Sequence, residues 1–194
     1  MIPILILAAG QSSRMRGVDK VLMDVDGQPL LARQISMAAE VGEVFVAVSP
    51  DQTARAELVK NSPATLLTTS FASEGIGGTL RSAVPQMPHR GQFMVLLTDL
   101  MLLESSDLRC VVKAVDQHPN NLIWRGATPN GDAGHPIILD DSLRPAFGAL
   151  RGDRGANQIA KAHRAQTHFH RFNDDRALFD LDTPEDWATW CASR

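Results

Sequence analysis

The sequence holds only two cysteines, Cys110 and Cys191, far apart and outside any CxxC or Cys/His spacing. That excludes a disulfide framework and a structural zinc site, and reduced thiols are expected. No apolar run approaches the ~18 residues that a membrane span needs. The opening MIPILILAAG has about seven apolar residues and no basic stretch before them, so it reads as a buried strand, and a cytoplasmic protein with no membrane partner is expected. Charge of one sign is lacking too: 19 Lys and Arg stand against 22 Asp and Glu, a formal net charge of −3. This argues against bulk attraction to nucleic acid or an anionic membrane, and leaves room for a local cationic site and a small anionic ligand. GxSxG, HExxH, GxGxxG and GxxxxGK[ST] are all missing, and no internal repeat is visible.

What is present is alternation. Ile2 to Ala8, residues 44 to 49 (VFVAVS) and residues 93 to 99 (FMVLLTD) are short apolar runs of the kind that form central strands. Between them, Leu30 to Val41, Thr53 to Lys60 and Gly77 to Val84 show helical spacing. Strand alternating with helix predicts parallel βαβ units, hence a three-layer α/β/α fold on a mostly parallel, doubly wound, Rossmann-like sheet. Further along, the pattern predicts a helix over Asp107 to Gln117 and short strands at Asn121 to Arg125 and Pro136 to Leu139. It also predicts helices over Ser142 to Leu150 and Ala156 to His163, an edge strand over Thr167 to Phe172, and a final helix from Thr183-Pro184 that carries Trp187 and Trp190 onto the core. One domain over residues 1–194 is expected.

In such sheets ligands sit beyond the carboxyl ends of the strands. The first of these ends is the loop in LILAAGQSSRMRGVDK, where Gly10, Ser12 and Ser13 offer close backbone approach and hydroxyls. Arg14 can fork onto phosphate oxygens and Lys20 can add a point charge, so the pair suits a triphosphate; the plain alternative is a solvated loop with surface cations. Asp99 ends the third apolar run, where a carboxylate suits Mg²⁺ or, equally, a turn. Asp180 and Asp182 alternate in FDLDTPED; Asp182 is a second metal candidate or a cap for the last helix. Gly75, Gly77, Gly78 and Thr79 can read a base edge with backbone groups, with Arg81 near phosphate, or simply open a helix. Arg151, Asp153 and Arg154 in RGDRG offer an acidic substrate two cations, or form a solvated turn.

The first loop resembles the signature LAAGxSxRMG…K of the MobA-like nucleotidyltransferases, matched by Leu7, Ala8, Ala9, Gly10, Ser12, Arg14, Met15 and Lys20. The likeness continues through SEGIGGTLRSAV, LLTDLMLL, GHPIILDDSLRPAFGALRGDRG and DLDTPEDW, and is strongest to the molybdenum cofactor cytidylyltransferase subgroup. The resemblance implies a nucleotidyltransferase-type fold and transfer of CMP from CTP to the phosphate of a molybdopterin-type acceptor, with release of pyrophosphate. It further implies catalytic roles for Arg14, Lys20 and Asp99, Mg²⁺ held by Asp99 and Asp182, and nucleotide contacts from Leu7 through Gly10, Ser12, Ser13 and the Gly75–Thr79 segment. His135, Arg151 and Arg154 would lie on the acceptor side, and an apo-molybdoenzyme is a possible recipient of the product. Ala8-Ala9-Gly10 is the form that goes with cytidine rather than guanosine nucleotides. Two positions depart from the pattern: Arg16 stands where glycine usually follows methionine, and Met101 where proline usually follows the aspartate. GTP with the same acceptor, a sugar or polyol phosphate as acceptor, and a non-catalytic nucleotide or cofactor carrier are the alternative readings.

Overall fold

The computed structural model describes residues 1–192, apart from the side chain of Ser13, which lies outside the described set. The first apolar run is strand β1 (Ile4–Leu7). A small hairpin of β2 (Asp24–Val25) and β3 (Gln28–Pro29) leads into α1 (Leu30–Ala39). Strand β4 (Val44–Val48), α2 (Thr53–Lys60), β5 (Thr65–Thr68), α3 (Ile76–Ala83) and β6 (Gln92–Leu97) follow. After α4 (Ser105–Gln117) come β7 (Ile123–Ala127), β8 (Ala133–Asp140), the short α5 (Arg144–Phe147), α6 (Ala156–Ala162), β9 (Thr167–Arg171) and α7 (Pro184–Ala192).

Among the described residues, seven strands form one sheet in the order β5-β4-β1-β6-β8-β7-β9, in which β8 runs against its neighbours. Successive strand residues point to opposite faces, and both faces are covered. Ile4, Ile6, Val46 and Leu96 pack under α1, α2 and α4, whereas Leu5, Leu7, Val95 and Ile137 pack under α3, α5 and α6. This is why the runs are continuously apolar rather than alternating. Each fully buried Leu or Ile contributes on the order of 1.5–3 kcal/mol relative to exposure.

The topology fixes where a ligand can lie. From β1 the chain winds outward through β4 to β5, then returns to place β6 on the other side of β1. Leu7 is in register with Ala47 and with Leu97, so the loops after β1 and β6 leave the same edge and diverge there. That is the switch point at which such sheets bind ligands.

The β2–β3 hairpin carries no sequence signal and β7 lies at Ile123–Ala127 rather than Asn121 to Arg125; three further elements differ for plain reasons. β5 has no strong sequence signal because it is an edge strand with only Leu67 buried. β8 begins at Ala133 rather than Pro136, since backbone pairing to β7 continues past the apolar stretch. The helix expected over Ser142 to Leu150 shortens to a 3₁₀ turn at Asp141–Leu143 and the four residues of α5, because Gly148 and the following RGDRG turn end it.

Candidate active site

At the switch point lies a cavity of about 480 Å³ bounded by Ala8, Ala9, Gly10 and Ser12 from the first loop, with Gly75 and Thr79 from the start of α3 opposite. Arg14, Lys20, Asp99 and Asp182 line it as well. The fold therefore gathers in one place residues that lie far apart in the chain. Leu7 lies on its wall and is itself 8% exposed.

An isolated β-bridge, in which Leu100 pairs with Asp180 antiparallel, holds the tail at the site. This sets Asp182 beside Asp99. The final helix is capped by Thr183 and Asp186, whose side chains bond reciprocally to each other's backbone N–H at 2.9 and 3.1 Å. Asp182 is thereby free of the capping role and turns its carboxylate inward. Lys20, only 7% exposed, donates to Asp99 Oδ2 and to Asp182 Oδ1, both at 2.9 Å, and Arg14 pairs with the other Asp182 oxygen. Burial works against the Lys20 charge, but Asp99 and Asp182 outweigh it and its pKa is raised. Asp180 is held above the usual carboxylate range by burial and by repulsion from Asp182 and Asp99.

Asp99 Oδ1 is buried and has no hydrogen-bond partner among the described residues. An orphaned carboxylate oxygen is costly unless a cation satisfies it. Asp99, Asp180 and Asp182 each offer an oxygen, all within 4.8 Å of one another. The donor set is hard oxygen, so the site fits a divalent cation such as Mg²⁺.

The loop owes its shape to residues outside the signature. Arg55 of α2, 3% exposed, donates to the carbonyls of Ala8 at 2.6 Å and Gly10 at 2.7 Å, and forks onto Asp19 at 2.7 and 2.8 Å. Gln52 adds bonds to the carbonyls of Ala9 and Gly10 at 3.2 and 3.1 Å. Asp19 in turn caps the 3₁₀ turn that carries Lys20. Nothing in the sequence marks these two residues, since Arg55 sits in a polar stretch that reads as solvated surface. Arg55→Ala is expected to destabilise the fold by about 2–3 kcal/mol, with little rescue by Lys, which lacks the planar fork. Urea unfolding of the two variants measures this.

Both departures from the family pattern have a structural account. Arg16 adopts the left-handed conformation at φ 51°, the one glycine takes readily, and bears a penalty on the order of 1 kcal/mol. Its guanidinium meets Glu185 at 2.7 Å. Met101 is buried against Val25, Leu30, Leu181 and Trp187, so it seats the tail rather than facing the cavity.

Not every candidate reaches the cavity. Gly77 and Gly78 are packed against other backbone: a Cβ would lie 2.8 Å from the Gly152 carbonyl at the first and 2.0 Å from the Phe71 carbonyl at the second. Gly77 lets α3 dock onto the RGDRG turn and Gly78 lets it pack on the backbone at Phe71, while their neighbours Gly75 and Thr79 line the cavity. Arg81 is engaged by Glu74 and by the Leu150 carbonyl. Arg151 folds back onto the carbonyls of Gly148 and Leu150, and neither it nor Arg154 lines the cavity; Asp153 between them does.

His135 lies on β8, with Nδ1 3.4 Å from the Val95 carbonyl. Burial, reinforced by the Arg125 charge, pushes its pKa down to about 4. An imidazole that titrates near 6.5 in the unfolded chain is protonated there first, so stability present above pH 6.5 is lost as pH falls toward 4. The loss attributable to His135 is about 3 kcal/mol, and His135→Gln is expected to remove that part of the pH dependence in denaturant unfolding between pH 7 and pH 4.

Comparison with known proteins bears on the whole arrangement. A protein named bifunctional protein GlmU from Clavibacter sepedonicus is 33% identical over 144 residues, which is 71% of this chain and 29% of that protein. The chain thus spans under a third of the length of that curated relative. Rv0371c from Mycobacterium tuberculosis H37Rv, solved in complex with manganese, superposes with a TM-score of 0.79 at 19% identity, covering all of this chain and 99% of the other. CMP:2-keto-3-deoxy-manno-octonic acid synthetase complexed with CTP superposes with a TM-score of 0.74 at 13% identity, over 100% and 98% of the two chains. Among the described residues no helix is long and apolar enough to cross a membrane. Residues 4–167 match the MobA-like NTP transferase domain, and the chain belongs to that nucleotidyltransferase family.

Proposed function

We propose that the protein transfers CMP from CTP to the phosphate of a molybdopterin-type acceptor. The observation that carries the reading is the cluster at the switch point, where Arg14 and Lys20 face Asp99 and Asp182 at the mouth of a nucleotide-sized cavity. An acceptor phosphate oxygen forms a bond to the α-phosphorus, the bond from that phosphorus to the β-bridging oxygen breaks, and pyrophosphate leaves. The acceptor phosphate is already ionised, so no general base is required. Lys20 and Arg14 stabilise charge on the triphosphate, and the amides of the loop braced by Arg55 orient it; catalysis is positioning plus charge neutralisation. Mg²⁺ held by Asp99 and Asp182 would supply further neutralisation of the transferring phosphate.

The choice of CTP rests on Ala8-Ala9-Gly10 and is supported by the CTP complex of a neighbour of the same fold. The choice of acceptor rests on the likeness of the GHP, RGDRG and DLDTPEDW segments to the molybdenum cofactor subgroup. An apo-molybdoenzyme would then receive the product. Calorimetric titration with CTP, GTP and UTP in Mg²⁺, followed by pyrophosphate release with purified molybdenum cofactor, is expected to show a preference for CTP and turnover on the pterin. Preference for GTP, or turnover only with a sugar phosphate, would move the protein to another branch of the same chemistry. Binding of every partner with no turnover would make it a carrier.

A further inference from the structure

The carboxylates that fit a divalent cation come from two segments. One is the turn from Asp99 to Glu104, which ends at the start of α4; the other is the tail from Arg176 to Asp182. At the site the Leu100–Asp180 bridge joins them. At their far ends Arg176 joins them again. Its Nη1 donates to both oxygens of Asp107 at 3.0 Å, and Nε and Nη2 fork onto the two oxygens of Asp174, both at 2.8 Å. Asp107 is 7% exposed and accepts from the Glu104 backbone N–H at 2.9 Å, so the guanidinium is tied to the point where the Asp99 turn enters its helix. Turn, helix start and tail thus form a closed frame, with an ion pair at one end and the three carboxylates at the other.

We infer that Arg176 is a positioning residue for the cation site: by locking the tail onto α4 it keeps Asp180 and Asp182 close enough to Asp99 for one divalent cation to be shared. The inference rests on the reading of these three carboxylates as the cation's donors. Arg176 itself lies outside the walls of the nucleotide cavity, so it acts through the tail rather than on CTP.

Each segment has other anchors, and their placement makes the ion pair matter for spacing more than for folding. The Asp99 turn is fixed to α1, since Gln34 donates to the Leu100 carbonyl at 3.3 Å and Arg33 to the Met101 carbonyl at 3.2 Å. On the tail, Ala177 is sealed against Gly134, where a Cβ would lie 2.2 Å from the Ala177 carbonyl oxygen, and Leu181 and Trp187 pack with Met101, Val25 and Leu30. Between these two contacts Leu178 and Asp180 are exposed, so apolar packing does little to hold the stretch that carries the carboxylates. Asp180 is moreover repelled by Asp182 and Asp99. Lys20 and Arg14 draw Asp182 inward from the side of the first loop, and Arg176 restrains the same stretch from its other end.

The test titrates Mn²⁺ into the full chain with CTP present. Arg176→Ala is expected to weaken Mn²⁺ binding about tenfold or more, as residues that orient metal ligands do. Arg176→Lys keeps the charge without the fork and is expected to fall in between; it carries the comparison should the alanine variant not fold. Pyrophosphate release by either variant should drop at limiting Mg²⁺ and recover at saturating Mg²⁺. CTP binding in EDTA should match the unmodified protein, which also reports that the variants are folded. Arg144→Lys is the matched control. Arg144 is 9% exposed and donates to Asp141 and to the carbonyls of Val84, Met87 and Pro88, beside the start of β6, whereas Asp99 follows its end. This control is expected to lower the melting temperature and leave Mn²⁺ affinity unmoved. A lower melting temperature with unchanged Mn²⁺ affinity in the Arg176 variants, or an equal loss of Mn²⁺ affinity in Arg144→Lys, makes Arg176 a general staple and overturns the inference. Unmodified protein that binds CTP but no Mn²⁺ removes the cation reading and the inference together. Unmodified protein that binds no CTP sinks the nucleotidyltransferase reading instead.

Discussion

Asp99→Asn is expected to lower pyrophosphate release by about 10²–10³-fold with the fold unchanged, because the substitution keeps the shape of the side chain and removes its charge. The carboxylate has two oxygens in two different situations. Oδ2 accepts from Lys20 at 2.9 Å, whereas Oδ1 is buried without a partner. An asparagine can keep the first contact only with its carbonyl oxygen, and then points an NH₂ where a cation would sit. Affinity for Mn²⁺, followed by calorimetry in the presence of CTP, should fall alongside turnover. Unchanged Mn²⁺ affinity and unchanged rate would remove Asp99 from the reaction. Lys20 keeps its bond to Asp182 in this variant, so the melting temperature should move little.

Lys20→Met separates two roles of one lysine. In the absence of metal the ammonium is the cation between Asp99 and Asp182, and its removal leaves two neighbouring carboxylates without it. Side chains at 20% and 26% exposure are partly screened, so the expected loss is about 1–2 kcal/mol, below that for a sealed pair. Mg²⁺ supplies positive charge to the same oxygens and should raise the melting temperature of the variant more than that of the unmodified protein. Turnover is not restored, since a methionine cannot meet the triphosphate, and a drop of about 10²–10³-fold is expected. Equal stabilisation of both proteins by Mg²⁺ would show that lysine and metal do not share the carboxylates.

The central strands were legible because both faces of the sheet are covered, which writes an unbroken apolar run at β1, β4 and β6. The edge strand β5 was not, because half-exposed Thr65–Thr68 has no such pressure on it. The cluster of Arg14, Lys20, Asp99 and Asp182 could be named from the sequence because signature and strand ends mark it. Arg55 and Gln52 could not, since their work depends on where α2 happens to dock. Gly77 and Gly78 show the converse: a glycine pair that reads as a ligand loop turns out to be a close approach of two backbones. Charge in a turn says nothing about which of its residues faces inward: of Arg151, Asp153 and Arg154, Asp153 is the one that lines the cavity.

The Leu100–Asp180 bridge has a consequence for biosynthesis. Arg14 and Asp182 touch across 168 positions of chain, and the bridge is what brings the tail to the first loop. A nascent chain emerges from its N-terminus and can dock β1, β4 and β6 long before residue 180 is made. Such a chain already offers a loop for phosphates while one carboxylate of its charge cluster is still inside the ribosome. Completion of the charge cluster thus waits on the tail, whose Phe172 and Ala177 also belong to the core under α1, α2 and α4.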